Sequence, residues 1–201
     1  MLARKPSLNV EIRWHAFLLN PDMPLEGADY NSYVYEKFGD KLRSREIHNA
    51  IYLAGHTVGI DFDFTRVKRL PNSVDSHRLV RFATRKNRAA EMLEMLYQNH
   101  FIIGRDISNR AILIDIANDL GFDEIELREY LYSEEDIVDI YEQNSKSHRL
   151  GIRGVPTFIF AKQFAISGAQ DPAVLQRMLS IAEETQHEFD KTDTQLIQRI
   201  N

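Results

Sequence analysis

The sequence predicts an α/β chain whose small sheet portion is split by a long all-helical insertion. Three observations carry this. Leu8–Phe17 alternates like a strand at the front. From Asp29 to Leu150 the apolar residues recur at helical spacing. Two short apolar runs, Thr157–Phe160 and Phe164–Ser167, then return before a closing helix.

At the front, Val10, Ile12, Trp14 and Ala16 share one face, and Glu11, Arg13, His15 and Phe17 share the other. Asn20-Pro21 and Met23-Pro24 end the run, because X-Pro pairs break regular structure. The helical block then reads as capped segments. Asp29–Phe38 stops at Gly39, and Arg45–Val58 stops at Gly59. Leu70 to Ser73 is a loop, and Asn72 or Ser73 caps a helix to Arg85, since either side chain can accept from a first-turn N–H. Ala89–Phe101 carries Met92, Leu93, Leu96, Tyr97 and Phe101 at helical spacing. Asn109–Leu120 ends at Gly121, the kind of residue that tolerates a left-handed terminus. Asp123 with Glu126 forms a capping box, and Ser133 with Asp136 starts a helix reaching Arg149.

The stretch GIRGVPTFIFAKQFAISGAQ, Gly151–Gln170, is the most informative in the chain. Proline donates no ladder hydrogen bond, so Pro156 belongs at the mouth of a strand. An X-Pro peptide can be cis there, and Val155-Pro156 is expected to be so. The backbone of Val155 would then face outward, where an extended peptide could pair as an added strand. Ala161-Lys162-Gln163 turns the chain into the second run. Asp171 is the N-cap of the final helix with Pro172 at its first position, and the tail from Thr185 to Asn201 is polar. The sheet portion therefore comprises residues 1–27 and 151–188, the helical insertion 28–150, and the tail 189–201.

Composition narrows the function classes. The 201 residues are 43% apolar and 27% charged, ordinary for a globular chain. A net charge of -5 with no dominant basic patch argues against nucleic acid as a partner. No apolar stretch reaches membrane-spanning length, and MLARKPSLNV has no apolar leader core, so no membrane partner and a cytoplasmic location are expected. There is no cysteine, which rules out disulfides and thiolate ligands within these residues.

Candidate chemistry is sparse. No pair among the seven histidines has HExxH spacing, so no metal site is expected. No G-x-S-x-G marks a seryl nucleophile. Asp61 and Asp63 read as solvated loop residues rather than an acid pair. Trp14, Tyr97, Phe101 and Phe158 could line an apolar groove near Pro156, with core packing as the competing role. Asn72 has two candidate roles, helix capping and ligand contact, and His77 follows it on the same helix.

Four ordered blocks resemble one family: Val10–Pro24, Leu70–Arg81, Gly104-Arg105-Asp106-Ile107 after the helix ending at Phe101, and GVPTF with its hairpin and SGAQ. Together they look like the later part of a DsbA-like thioredoxin-fold domain. They are similar to the FrnE-like branch, related to 2-hydroxychromene-2-carboxylate isomerases and kappa-class glutathione transferases. The resemblance covers about residues 8–183. It implies a thioredoxin-like sheet domain with a helical insertion and a thiol-disulfide oxidoreductase parent. It implies that Val155, Pro156 and Thr157 hold a peptide or thiol substrate, with Asn72, Ser73 and His77 flanking the groove. Glutathione-binding relatives place an Asn-Thr pair on their ligand; this chain has Asn72-Ser73.

Redox members carry Cys-x-x-Cys at the start of the first helix, and Met1–Pro6 aligns with the end of that helix. The resemblance thus implies an N-terminally truncated oxidoreductase homologue, inactive without a thiol and without a cofactor. An isomerase or glutathione-conjugating enzyme using serine and glutathione is the alternative, followed by a non-catalytic binding remnant or a structural module. In that fold the first strand lies between the second strand and the hairpin. Without it, Leu8–Phe17 and Thr157–Phe160 would present unpaired backbone groups, and self-association through them is expected.

Overall fold

Local chemistry sets most helix boundaries. In a computed structural model, which describes residues 10–39 and 41–185, Asp29 caps α1 (Tyr30–Phe38) by accepting from the Ser32 N–H at 2.8 Å, and Gly39 at φ 70° ends it. The expected polar tail 189–201, and Leu8 and Asn9 of the expected front strand, lie outside the described residues. The chain forms two compact units, Trp14–Lys146 and Met1–Arg13 with Ser147–Asn201.

The first unit is helical. After α1 come α2 (Lys41–His56), α3 (Val74–Arg85), α4 (Ala89–Gln98), α5 (Arg110–Asp119), α6 (Glu124–Tyr132) and most of α7 (Ile137–Arg149). Two departures from the all-helical expectation stand out. Ala28–Asp29 and Arg69–Leu70 pair antiparallel as two-residue strands, β1 and β2, which bracket α1 and α2. Strands this short carry no periodicity to read. Asp136, expected inside a helical start, instead sits at φ 64° ahead of α7. Its carboxylate is buried and ion-paired, and those partners override the local capping pattern.

The core forms where the apolar stripes of α3, α4, α5 and α6 meet. Leu79, Met92, Leu113, Ile116, Leu127 and Leu131 are fully buried there. Each such side chain contributes about 1.5–3 kcal/mol of burial. One polar group is equally buried. All five N–H groups of the Arg78 guanidinium have an acceptor: the carbonyls of Glu135 (2.7 Å), Leu131 (3.1 Å), Tyr130 (2.7 Å) and Ser133 (3.0 Å), and the Asp75 carboxylate (2.5 Å). The Tyr130 and Leu131 carbonyls belong to the last turn of α6, where helix carbonyls run out of intrahelical donors, and those of Ser133 and Glu135 follow in the link to α7. Arg78 therefore caps the C-terminus of α6 from inside the core.

The expected front strand is not a strand. Residues 10–17 join no ladder. Within the helical unit, side chains take the place of a neighbouring strand. The Ala16 and Leu18 N–H groups donate to Gln143 Oε1 at 3.0 Å and Asn144 Oδ1 at 2.9 Å, both on α7. Alternation alone cannot tell a ladder from such side-chain acceptors.

The second unit holds the hairpin. Strand β3 (Thr157–Phe160) pairs antiparallel with β4 (Phe164–Ser167) in the register Thr157↔Ser167, Phe158↔Ile166, Ile159↔Ala165 and Phe160↔Phe164. Asp171 accepts from the Ala173 N–H at 2.7 Å and starts α8, residues 172–185. The turn places Ala161 at φ 49° and Lys162 at φ 61°, a left-handed region that disfavours residues with a Cβ. Lys162→Gly should therefore stabilise the chain, by about 0.5–1 kcal/mol in denaturant unfolding. An unchanged or lower midpoint would contradict that reading of the turn.

Candidate functional site

The register of the hairpin decides which backbone groups are free. In an antiparallel ladder, hydrogen-bonded and non-hydrogen-bonded residue pairs alternate. The Gly168 N–H donates to the Pro156 carbonyl at 2.8 Å, which makes Thr157↔Ser167 a non-hydrogen-bonded pair. Thr157 and Ile159 therefore aim their N–H and C=O groups away from β4, and Phe158 and Phe160 aim theirs toward it. Within this unit, among the described residues, β4 is the sole strand beside β3, so the Thr157 and Ile159 groups form an open edge. The Val155–Pro156 peptide at its mouth is cis. Thr157 Oγ1 donates to the Gly154 carbonyl at 2.8 Å, which fixes the corner.

The surface along this edge is apolar. Val155 is 51% exposed and Ile159 48%, and no charged residue stands from Gly154 to Phe160. Natural edges are commonly guarded by a lysine, a bulge or an inward charge. Here the lysine sits in the turn, at Lys162, and leaves Thr157 and Ile159 open.

Asn72, Ser73 and His77 belong to the helical unit, and Val155, Pro156 and Thr157 to the other. Asn72 is buried, and both ends of its amide are engaged. Its Oδ1 accepts from the Val74 N–H at 3.0 Å and its Nδ2 donates to the Met23 carbonyl at 2.7 Å. Ser73 occupies the N-cap position of α3 but makes no side-chain cap bond, because Asn72 supplies that acceptor one residue earlier. The Ser73 side chain is half-buried.

Burial holds the His77 imidazole below the ordinary histidine range, partly opposed by its hydrogen bond to the Phe17 backbone. A lowered folded-state pKa means that His77 stabilises the fold above about pH 6.5, the unfolded value, and that this contribution is lost as pH falls through the folded pKa. Burial shifts His48 and His100 the same way. His77→Gln should make the acid-side loss of stability less steep below about pH 6.5. Melting curves at several pH values check this, and an unchanged slope would count against it.

The remaining aromatic candidates divide. Tyr97 lies against Phe101, which meets Phe62 and Phe64 edge-on inside the helical unit, and His48 stacks on Phe64 at 4.6 Å, so these rings pack against one another. Asp63 accepts from Thr65 and Arg66, and Asp61 pairs with His56 at 2.8 Å. Among the described residues no three His, Cys, Asp or Glu side chains come together to hold a metal. Sequence reading missed Ile159 as an edge residue, although counting outward from Pro156 along the hairpin finds it. Gln143 and Asn144 carried no signal, because their partners lie more than a hundred residues away.

The profile of the DsbA-like thioredoxin domain matches residues 1–180, and the chain belongs to that family. Its fold is likewise similar to the crystal structure of a probable DsbA oxidoreductase from Streptomyces coelicolor, with a TM-score of 0.78 and 22% identity. The match covers 85% of this chain and 74% of that one, and at this identity it speaks for the fold. No curated protein matches the chain.

Proposed function

We propose that this chain is a FrnE-like DsbA homologue that binds an extended polypeptide along the open edge of β3 beside Pro156. It carries out no disulfide exchange of its own, because that chemistry needs a thiolate nucleophile and its 201 residues contain no cysteine. The observation that carries the reading is the outward Thr157 and Ile159 backbone on an uncharged edge. Main-chain pairing supplies affinity in this mode, and side chains that alternate along the partner supply selectivity. Val155 and Thr157 flank Pro156 and contact the ligand. Ser73 at the N-cap of α3 and His77 within α3 are assigned ligand contacts of the helical unit by itself, where Asn72 ties the start of α3 to Met23.

Two measurements test this together. The chain should show no turnover above a blank in insulin reduction. It should bind fluorescently labelled, S-alkylated insulin B chain, with affinity at least tenfold weaker in Ile159→Pro. That substitution removes an outward donor and no bond to β4. Turnover, absent binding, or full binding by Ile159→Pro would each overturn the reading.

A further inference from the structure

We propose that the open edge of β3 also pairs with β3 of a second copy of this chain, forming an antiparallel two-fold dimer centred on Phe158. This rests on the same free edge as the peptide-binding reading, and it names a partner that would compete for it.

The register admits this arrangement. The outward donors and acceptors belong to Thr157 and Ile159, one residue either side of Phe158. A two-fold axis at Phe158 places Thr157 opposite Ile159 of the second copy, and Ile159 opposite its Thr157. Both are then hydrogen-bonded pairs, each exchanging two N–H···O=C bonds, and every outward group of the two residues finds a partner. An isologous contact requires such self-complementarity, with residue i meeting j and j meeting i. Shifting the register by one residue sets outward groups against inward ones, so this one is preferred.

The side chains are compatible with it. Phe158 meets its own counterpart in the non-hydrogen-bonded pair, where side chains lie closest and aromatic pairs are favourable. Ile159 and Val155 would lose apolar surface now exposed to water. No charge lies from Gly154 to Phe160, so the paired window itself is free of like charges, while Arg153 of one copy approaches Lys162 of the other at each end and weakens the association. Pro156 has no N–H and the turn begins after Phe160, which confines the pairing to this short window. The pairing is therefore weak and depends on concentration.

Sedimentation velocity of the full chain over a hundredfold concentration range tests the proposal. The sedimentation coefficient should rise toward that of a dimer at the highest concentrations. Ile159→Lys, which adds two facing charges across the axis, and Ile159→Pro should both remain monomeric. S-alkylated insulin B chain should return the wild type to monomer. A chain that is monomeric throughout overturns the dimer, as does association that both variants preserve. Peptide binding is read at the lowest concentration. Peptide binding by a chain that never dimerises removes this inference and leaves the binding reading intact. Dimers that form while the peptide fails to bind do the opposite.

Discussion

Arg78→Met should cost about 3–5 kcal/mol of stability, the range for removing one partner from a buried ionic network. That is a large part of the 5–15 kcal/mol that holds a domain together. The side chain is fully buried, and four of its five hydrogen bonds go to main-chain carbonyls. Buried ion pairs can often be exchanged for apolar residues without loss, because both charges leave together. Carbonyls cannot leave. Methionine would strand those of Leu131, Ser133 and Glu135, each at about 1–3 kcal/mol if no water reaches it, while the Tyr130 carbonyl would keep the Ser133 N–H at 3.2 Å and hydroxyl at 2.8 Å. Asp75 would keep Arg110, whose Nε lies 2.7 Å from its carboxylate. Arg78→Lys should fall between wild type and methionine, since an ammonium carries fewer donors and no planar fork. Urea unfolding at neutral pH reads all three. A loss below about 1 kcal/mol for methionine would mean that α6 ends without its help.

Gly104→Ala is the second large effect expected, at about 2–4 kcal/mol. Helix α4 runs into a π-helical turn, Asn99–Ile103, and Gly104 closes it at φ 84° with its N–H on the Asn99 carbonyl. Two penalties add there. The left-handed conformation alone costs a residue with a Cβ about 1–2 kcal/mol. A Cβ would also stand 2.5 Å from the Arg66 carbonyl oxygen, a backbone atom that cannot swing aside. The segment carrying Arg66 is further pinned by the Asp63 N–H on the Phe101 carbonyl at 2.8 Å. Gly121 provides the control. It ends α5 at φ 78°, but nothing lies within 4 Å of its would-be Cβ. Gly121→Ala should show the conformational penalty alone. Equal losses at the two positions would show that the Arg66 contact is too loose to matter.

These two sites mark how far the sequence could be read. Caps are local chemistry, and Asp29, Asn109, Asp123 and Asp171 each accept from an N–H two or three residues ahead, where the sequence placed helix starts. The hairpin was equally legible, because Pro156, the turn and two apolar runs lie within a dozen residues. Gly104 could be seen as a helix stop, but its contact with Arg66 could not. Nothing in the sequence marks Arg78, since its carbonyl acceptors lie 52 to 57 residues away. The front segment misled for the opposite reason. Its alternation is real, yet its N–H groups found amide side chains on α7 instead of a strand. Of the candidate site, Pro156 and its neighbours were readable from the motif. That Thr157 and Ile159 are the residues whose backbone groups point away from β4 needed the register.

The central claim is that this edge accepts a polypeptide strand, and residue-resolved amide exchange tests it most directly. In the free chain at low concentration, the Phe158 N–H should be protected by β4, while those of Thr157 and Ile159 exchange freely. Addition of S-alkylated insulin B chain should slow exchange at Thr157 and Ile159 and leave Phe158 nearly unchanged. Binding that protects other residues and leaves Thr157 and Ile159 exchanging freely would contradict the account.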